Sequence, residues 1–155
     1  MNQNRVLVVD DEPDIRQLIG DILLDEGHLV ETADGVVAAR AVLPAFKPDL
    51  ILLDVWLPDG DGVALLQEWQ EQGGPGAPVV MISGHGSIET AVSALKLGAY
   101  DFLEKPVSLA KLLATVNRGF EHAALKRENL GLRARVAPPP PIGGSTAMQI
   151  VRTQL

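Results

Sequence analysis

The chain has no cysteine. Disulfide frameworks and thiolate metal sites are therefore excluded, and a reducing cytosol fits that usage. Aromatic residues make up only 4% of the 155 positions, so Leu, Val, Ile and Ala must build any core. Long apolar runs are also missing. None nears the roughly 18 residues needed to cross a bilayer, and the N-terminal stretch lacks the apolar centre of a secretory signal. A cytoplasmic protein without membrane association is expected. Basic side chains are scarce in residues 1–110, where 18 Asp/Glu face 6 Lys/Arg for a net charge of −12. Such a surface repels a phosphate backbone and makes a poor nucleic-acid binder. Residues 111–155 carry a net +5, but those charges are interleaved with Leu and Ala, as on a solvated helix face.

What is abundant is short, unbroken apolar runs that stop at acidic or turn residues. Leu50-Ile51-Leu52-Leu53 runs without alternation into Asp54 and then into Leu57-Pro58-Asp59-Gly60-Asp61-Gly62. A run of this kind suits a strand covered on both faces, as in a parallel sheet. Arg5 to Val9, His28 to Ala33, Val79 to Ile82 and Tyr100 to Leu103 read as four further strands. Between them Ile15, Leu18, Ile19, Ile22 and Leu23 recur at helical spacing, and helices are predicted over Val36 to Phe46, Gly62 to Gln72 and Ser87 to about Leu97. Ser108 is placed to cap a last helix that outruns the core. Short connections and regular strand–helix alternation predict an α/β, doubly wound parallel sheet with strand order 2-1-3-4-5.

In such a sheet Asp10, Asp11, Asp54, Ser83 and Lys105 all follow strand ends and meet on one edge. Clustered carboxylates repel, and one is pushed towards protonation unless a cation intervenes. Mg²⁺ (or Mn²⁺) takes carboxylates, waters and phosphate oxygens, which this set can share. Lys105 offers a positive charge and Ser83 a hydroxyl donor to phosphoryl oxygens. The chemistry that fits is attack by the Asp54 carboxylate on phosphorus. Taken singly, Asp10, Asp11 and Ser83 are equally ordinary turn or cap residues; it is their convergence that points to a site.

These features resemble the receiver domain of two-component response regulators. The resemblance rests on Val8-Val9-Asp10-Asp11, the stretch Leu52 to Gly62, Met81-Ile82-Ser83-Gly84 and Gly98 to Pro106, and covers residues 4–122. It implies a (βα)5, CheY-like fold and Asp54 as acceptor from the phosphohistidine of a sensor histidine kinase. It further implies Mg²⁺ on Asp11, Asp54 and the Trp56 carbonyl, with Asp10 acting partly through water. Ser83 and Phe102 match the switch positions, Lys105 the phosphate-contacting lysine, and Lys105–Pro106 a cis peptide. Trp56 and His85 fall where the family flanks the path of hydrolytic water, so both are expected to tune phosphoryl lifetime.

Leu125, Asn129, Leu132 and Val136 follow a 4-3-4 spacing compatible with a short coiled coil, and a homodimer is expected. Pro138 to Pro141 read as a stiff linker. Residues 142–155 resemble the opening of the AAA+ module of NtrC-class sigma-54-dependent activators, and Met81 to Ala91 with Trp56 look like their NtrX branch. No G-x-x-x-x-G-K-[ST] motif occurs. The expected organisation is a receiver at 1–122, a helical and Pro-rich linker at 123–141 and the start of a truncated AAA+ module at 142–155. DNA and sigma-factor contacts are then expected only through missing domains. Two other functions compete: a Mg²⁺-dependent phosphatase with an Asp nucleophile, and a free-standing receiver acting only by protein contact. The phosphatases of the HAD type carry a second Asp two residues on, where this chain has Trp56.

Overall fold

Strand β3 (Leu50–Asp54) is buried at all five positions, as its unalternating sequence requires. The computed structural model describes residues 3–84 and 88–136, with 126–136 described by backbone alone. In chain order the other elements are β1 (Arg5–Val9), α1 (Pro13–Asp25), β2 (Leu29–Ala33) and α2 (Val36–Phe46) before β3. After it come β4 (Trp56–Leu57), β5 (Gly60–Asp61), α3 (Gly62–Glu71), β6 (Val79–Ser83), α4 (Ile88–Lys96), β7 (Asp101–Glu104) and α5 (Leu109–Val136). Five strands form a parallel sheet in the order β2-β1-β3-β6-β7. With the β4–β5 ribbon set aside, this is the expected 2-1-3-4-5 layout.

The two faces of the sheet bury alternate residues. Leu7, Val9, Ile51, Leu53 and Met81 pack with Ala39 of α2, Leu65, Leu66 and Trp69 of α3, and Ala91 and Ala94 of α4. Val6, Val8, Leu50, Leu52, Val80 and Ile82 pack with Ile19 and Leu23 of α1 and Leu112 and Val116 of α5. Helices on both faces explain why the inner strands β1, β3 and β6 show no polar alternation, while the edge strands β2 and β7 carry Glu31, Thr32 and Asp101. Within the expected α1 stripe, Ile19 and Leu23 are fully buried, but Leu18 is 48% exposed. It stands one residue before Ile19, at the stripe's edge, where a 100° step turns it towards solvent.

Local chemistry sets the helix ends. Ser108 Oγ accepts the Lys111 N–H at 3.2 Å, and Asp61 Oδ1 accepts the Val63 N–H at 2.8 Å to cap α3. Gly27, at φ 89°, closes α1 in a conformation that disfavours a Cβ. The Ser87 cap lies outside the described residues. Lys105–Pro106 is cis, as the resemblance implies. Residues 1–120 form one compact unit and those from Glu121 a second. The expected coiled-coil side chains Asn129, Leu132 and Val136, the proline run and residues 142–155 lie outside the described side chains. Among the described residues no helix is long and apolar enough to cross a membrane.

Candidate functional site

Parallel strands deliver their carboxyl ends to one edge, and the chain places its chemistry there. Asp10 follows β1, Asp54 ends β3, Ser83 ends β6 and Lys105 follows β7. Asp10 is fully buried, and Asp54 is 4% exposed. Lys105 Nζ lies 3.1 Å from Asp10 Oδ2 and 3.2 Å from Asp54 Oδ2, joining two carboxylates from neighbouring strands. It also stands 3.5 Å from Glu12 Oε2 at the rim.

The charges of this triad are interdependent. Burial, and then the negative charge of Asp10, push the Asp54 carboxyl up to about 6, while Lys105 pulls the other way. Burial also disfavours the Lys105 ammonium, but Asp10 and Asp54 together outweigh it and hold the group above its ordinary value. Asp10 Oδ1 accepts the Glu12 N–H at 2.9 Å. Its buried Oδ2 is met by the Lys105 ammonium as an ion pair and by no further hydrogen-bond donor among the described residues. A buried carboxylate oxygen met by a single ammonium keeps a lone pair that a small hard cation can take up. Oxygens of Asp10, Asp11 and Glu12 all lie within 4.8 Å of one another. An all-oxygen set of this charge fits Mg²⁺ or Mn²⁺ rather than a softer metal.

The remaining expected residues take different positions. Asp11 sits exposed on the rim beside Asp10. The Trp56 N–H donates to Asp54 Oδ1 at 3.4 Å, and the residue is 57% exposed. Ser83 is buried, but its hydroxyl donates to the Leu103 carbonyl at 3.5 Å rather than to Asp54. Phe102 is half-buried against the core on the β7 side. His85 lies outside the described residues. Two residues outside the expected set take part. Glu12, legible only as the third consecutive acid after a strand, joins Asp10 and Asp11 at the rim. Gly62 is required by close approach, since a Cβ there would collide with the Asp54 carbonyl oxygen.

Residues 6–117 match the response regulator receiver domain. The chain belongs to that family. It is 45% identical to the nitrogen assimilation regulatory protein NtrX of Azorhizobium caulinodans over 95% of this chain and 33% of the relative. It is 40% identical to the response regulator protein PilR of Pseudomonas aeruginosa over 100% of this chain and 34% of the relative. The chain thus spans about a third of the length of these relatives. Among solved structures, the receiver domain of NtrX from Brucella abortus is 52% identical, with a TM-score of 0.70 over 75% of this chain and 98% of that one. A CheY-like receiver from Methanospirillum hungatei, 30% identical, superposes with a TM-score of 0.74 over 81% of this chain and 99% of that one. The fold is therefore CheY-like, and the chain is a receiver of the NtrX and NtrC-class kind. Such receivers partner with histidine kinases, generally bind Mg²⁺ at an acidic pocket, and are generally switches rather than enzymes.

Proposed function

We propose that Asp54 accepts a phosphoryl group from the phosphohistidine of a sensor kinase. The observation that supports this best is the Lys105 ammonium set between the buried carboxylates of Asp10 and Asp54 at 3.1 and 3.2 Å. An Asp54 oxygen attacks phosphorus, the P–N bond of the phosphohistidine breaks, and an acyl phosphate forms. Lys105 meets the charge on the transferred oxygens, with no covalent role. Asp11, Asp54 and the Trp56 carbonyl would hold Mg²⁺ (or Mn²⁺), with Asp10 acting partly through water. The ion supplies charge neutralisation and alignment.

Ser83 supplies the switch. Its contact with the Leu103 carbonyl is long at 3.5 Å and is readily exchanged for a phosphoryl oxygen. Its inward movement frees space for Phe102, which lines a groove of ≈ 420 Å³ with Ile88, Thr115 and Arg118. The altered α4–β7–α5 surface then passes the signal to an output module of transcription-regulating relatives, within a cytoplasmic homodimer. DNA and sigma-factor contacts belong to such a module. Trp56, exposed beside the acceptor, and His85 tune how fast water removes the phosphoryl group, so alanine at either position should change the decay rate of the phospho-species.

Labelling with acetyl phosphate and Mg²⁺, followed by mass spectrometry, tests the reading. One alkali-labile phosphoryl group per chain, lost in Asp54→Ala, is expected. Steady hydrolysis of small phosphomonoesters would support a phosphatase instead, and no labelling at all a receiver that works by contact alone.

A further inference from the structure

The segment that carries Trp56 is a very short ribbon. Strands β4 and β5 pair Trp56 with Asp61 and Leu57 with Gly60, leaving Pro58 and Asp59 at the tip. Two residues per strand cannot hold a shape unaided, so the ribbon depends on its attachments. Its base is secured by the Gly62 N–H donating to the Val55 carbonyl at 2.7 Å and by the buried side chain of Leu57. Its tip is secured from outside. Asp59 Oδ1 accepts the Val36 N–H at 2.7 Å, and Oδ2 accepts the Val37 N–H at 3.0 Å.

Those amides are the first of α2, whose own N-cap, Gly35, provides no side-chain acceptor. The helix therefore takes its cap from a residue 23 positions away. The two amides hold the Asp59 carboxyl below the usual carboxylate range. The fit is close on both sides. A Cβ on Gly35 would stand 2.6 Å from Asp59 Oδ1, and one on Gly60 would stand 2.9 Å from Val36 Cγ2. Gly35 has an extended φ of −175°, so it is space rather than backbone conformation that requires glycine there.

We propose that Asp59 is a positioning residue for the ion site: by capping α2 from the ribbon tip, it fixes the Trp56 backbone relative to Asp54. This rests on the reading above, in which Asp54 and the Trp56 carbonyl hold the ion. Freed at its tip, the ribbon moves about its base, and the carbonyl is no longer preset for a cation that tolerates little departure from octahedral geometry.

Titration of the chain with Mg²⁺ alone, followed by tryptophan emission, tests this, because Trp56 is exposed beside the acceptor while Trp69 is buried. Asp59→Ala should weaken Mg²⁺ binding about tenfold, as loss of a ligand-orienting group commonly does. Gly35→Ala, which crowds the carboxylate from the α2 side, should act in the same direction. Asp59→Asn keeps one acceptor and should fall between. Glu68→Ala cuts the α2–α3 ion pair of Arg40 with Glu68, at 2.6 Å, while leaving Arg40 and the tip contacts of Asp59 in place, and should leave affinity unchanged. Melting without metal separates roles, since a merely structural cap lowers stability but not the affinity of folded protein. If Asp59→Ala does not fold, Asp59→Asn and Gly35→Ala carry the test. Normal binding by the unsubstituted chain with less than about a twofold change in these variants overturns the inference alone. An equal loss in Glu68→Ala also overturns it. No Mg²⁺ response in the unsubstituted chain overturns the ion assignment, and this inference with it.

Discussion

Asp54 is held at a disadvantage when ionised, and that has a sign that can be measured. Folded, its carboxyl keeps a proton up to about pH 6. Unfolded, it loses that proton near the ordinary value of about 4. Between those limits the folded state binds protons more strongly, so metal-free stability falls as pH rises through the window and stays reduced above it. The shift caps the effect at about 3 kcal/mol. Water at the rim of the cleft brings it nearer ~1 kcal/mol. Asp54→Asn removes the titration while Asp10 keeps the Lys105 ammonium occupied. In chelator, its melting temperature should exceed that of the unsubstituted chain at pH 7, with the gap closing towards pH 4. Parallel melting curves across that range would show that the carboxylate carries no such burden.

Helix α5 and the cap of α3 show how the elements are held, and they separate what was legible from what was not. Leu112 is fully buried against the sheet, whereas Leu125 is 61% exposed. Urea unfolding should therefore give a loss of about 2–5 kcal/mol for Leu112→Ala. For Leu125→Ala it should give a change within about 0.5 kcal/mol. Asp61→Ala removes the cap on α3 and should cost about 1 kcal/mol. The inner strands β1, β3 and β6 could be read because four apolar residues in succession have few other uses, the edge strands β2 and β7 from their place between helices, and the order of the sheet followed from short crossovers. The β4–β5 ribbon could not, because strands of two residues have no period. The reach of Asp59 to α2 was invisible for another reason: it is a contact across 23 residues through a backbone amide, and backbone amides leave no mark in sequence. Asp10, Asp54 and Lys105 were legible as a set through their strand ends. The direction of the Ser83 hydroxyl was not, since a rotamer about one bond decides it.

At the scale of the whole molecule, one edge of the sheet collects the carboxylates of an already acidic unit. Lys105 relieves the buried pair only in part, leaving Asp10 Oδ2 with no further donor among the described residues and Asp11 and Glu12 crowded at the rim. A divalent cation that binds only the folded chain should stabilise it by mass action, by about 2.7 kcal/mol at a hundredfold excess over Kd. Screening of the general negative charge would also raise stability, but it would respond to NaCl as it does to MgCl₂ at equal ionic strength. Melting temperature is therefore expected to rise by several degrees with MgCl₂ beyond any rise with NaCl, and to return with chelator. Asp11→Asn should abolish the Mg²⁺-specific part while keeping the response to salt, because it removes one rim carboxylate and leaves the Asp10–Lys105–Asp54 contacts in place. Equal responses to the two salts in the unsubstituted chain would mean that the acidic edge is screened rather than occupied, and the cation would lose its part in the phosphoryl chemistry.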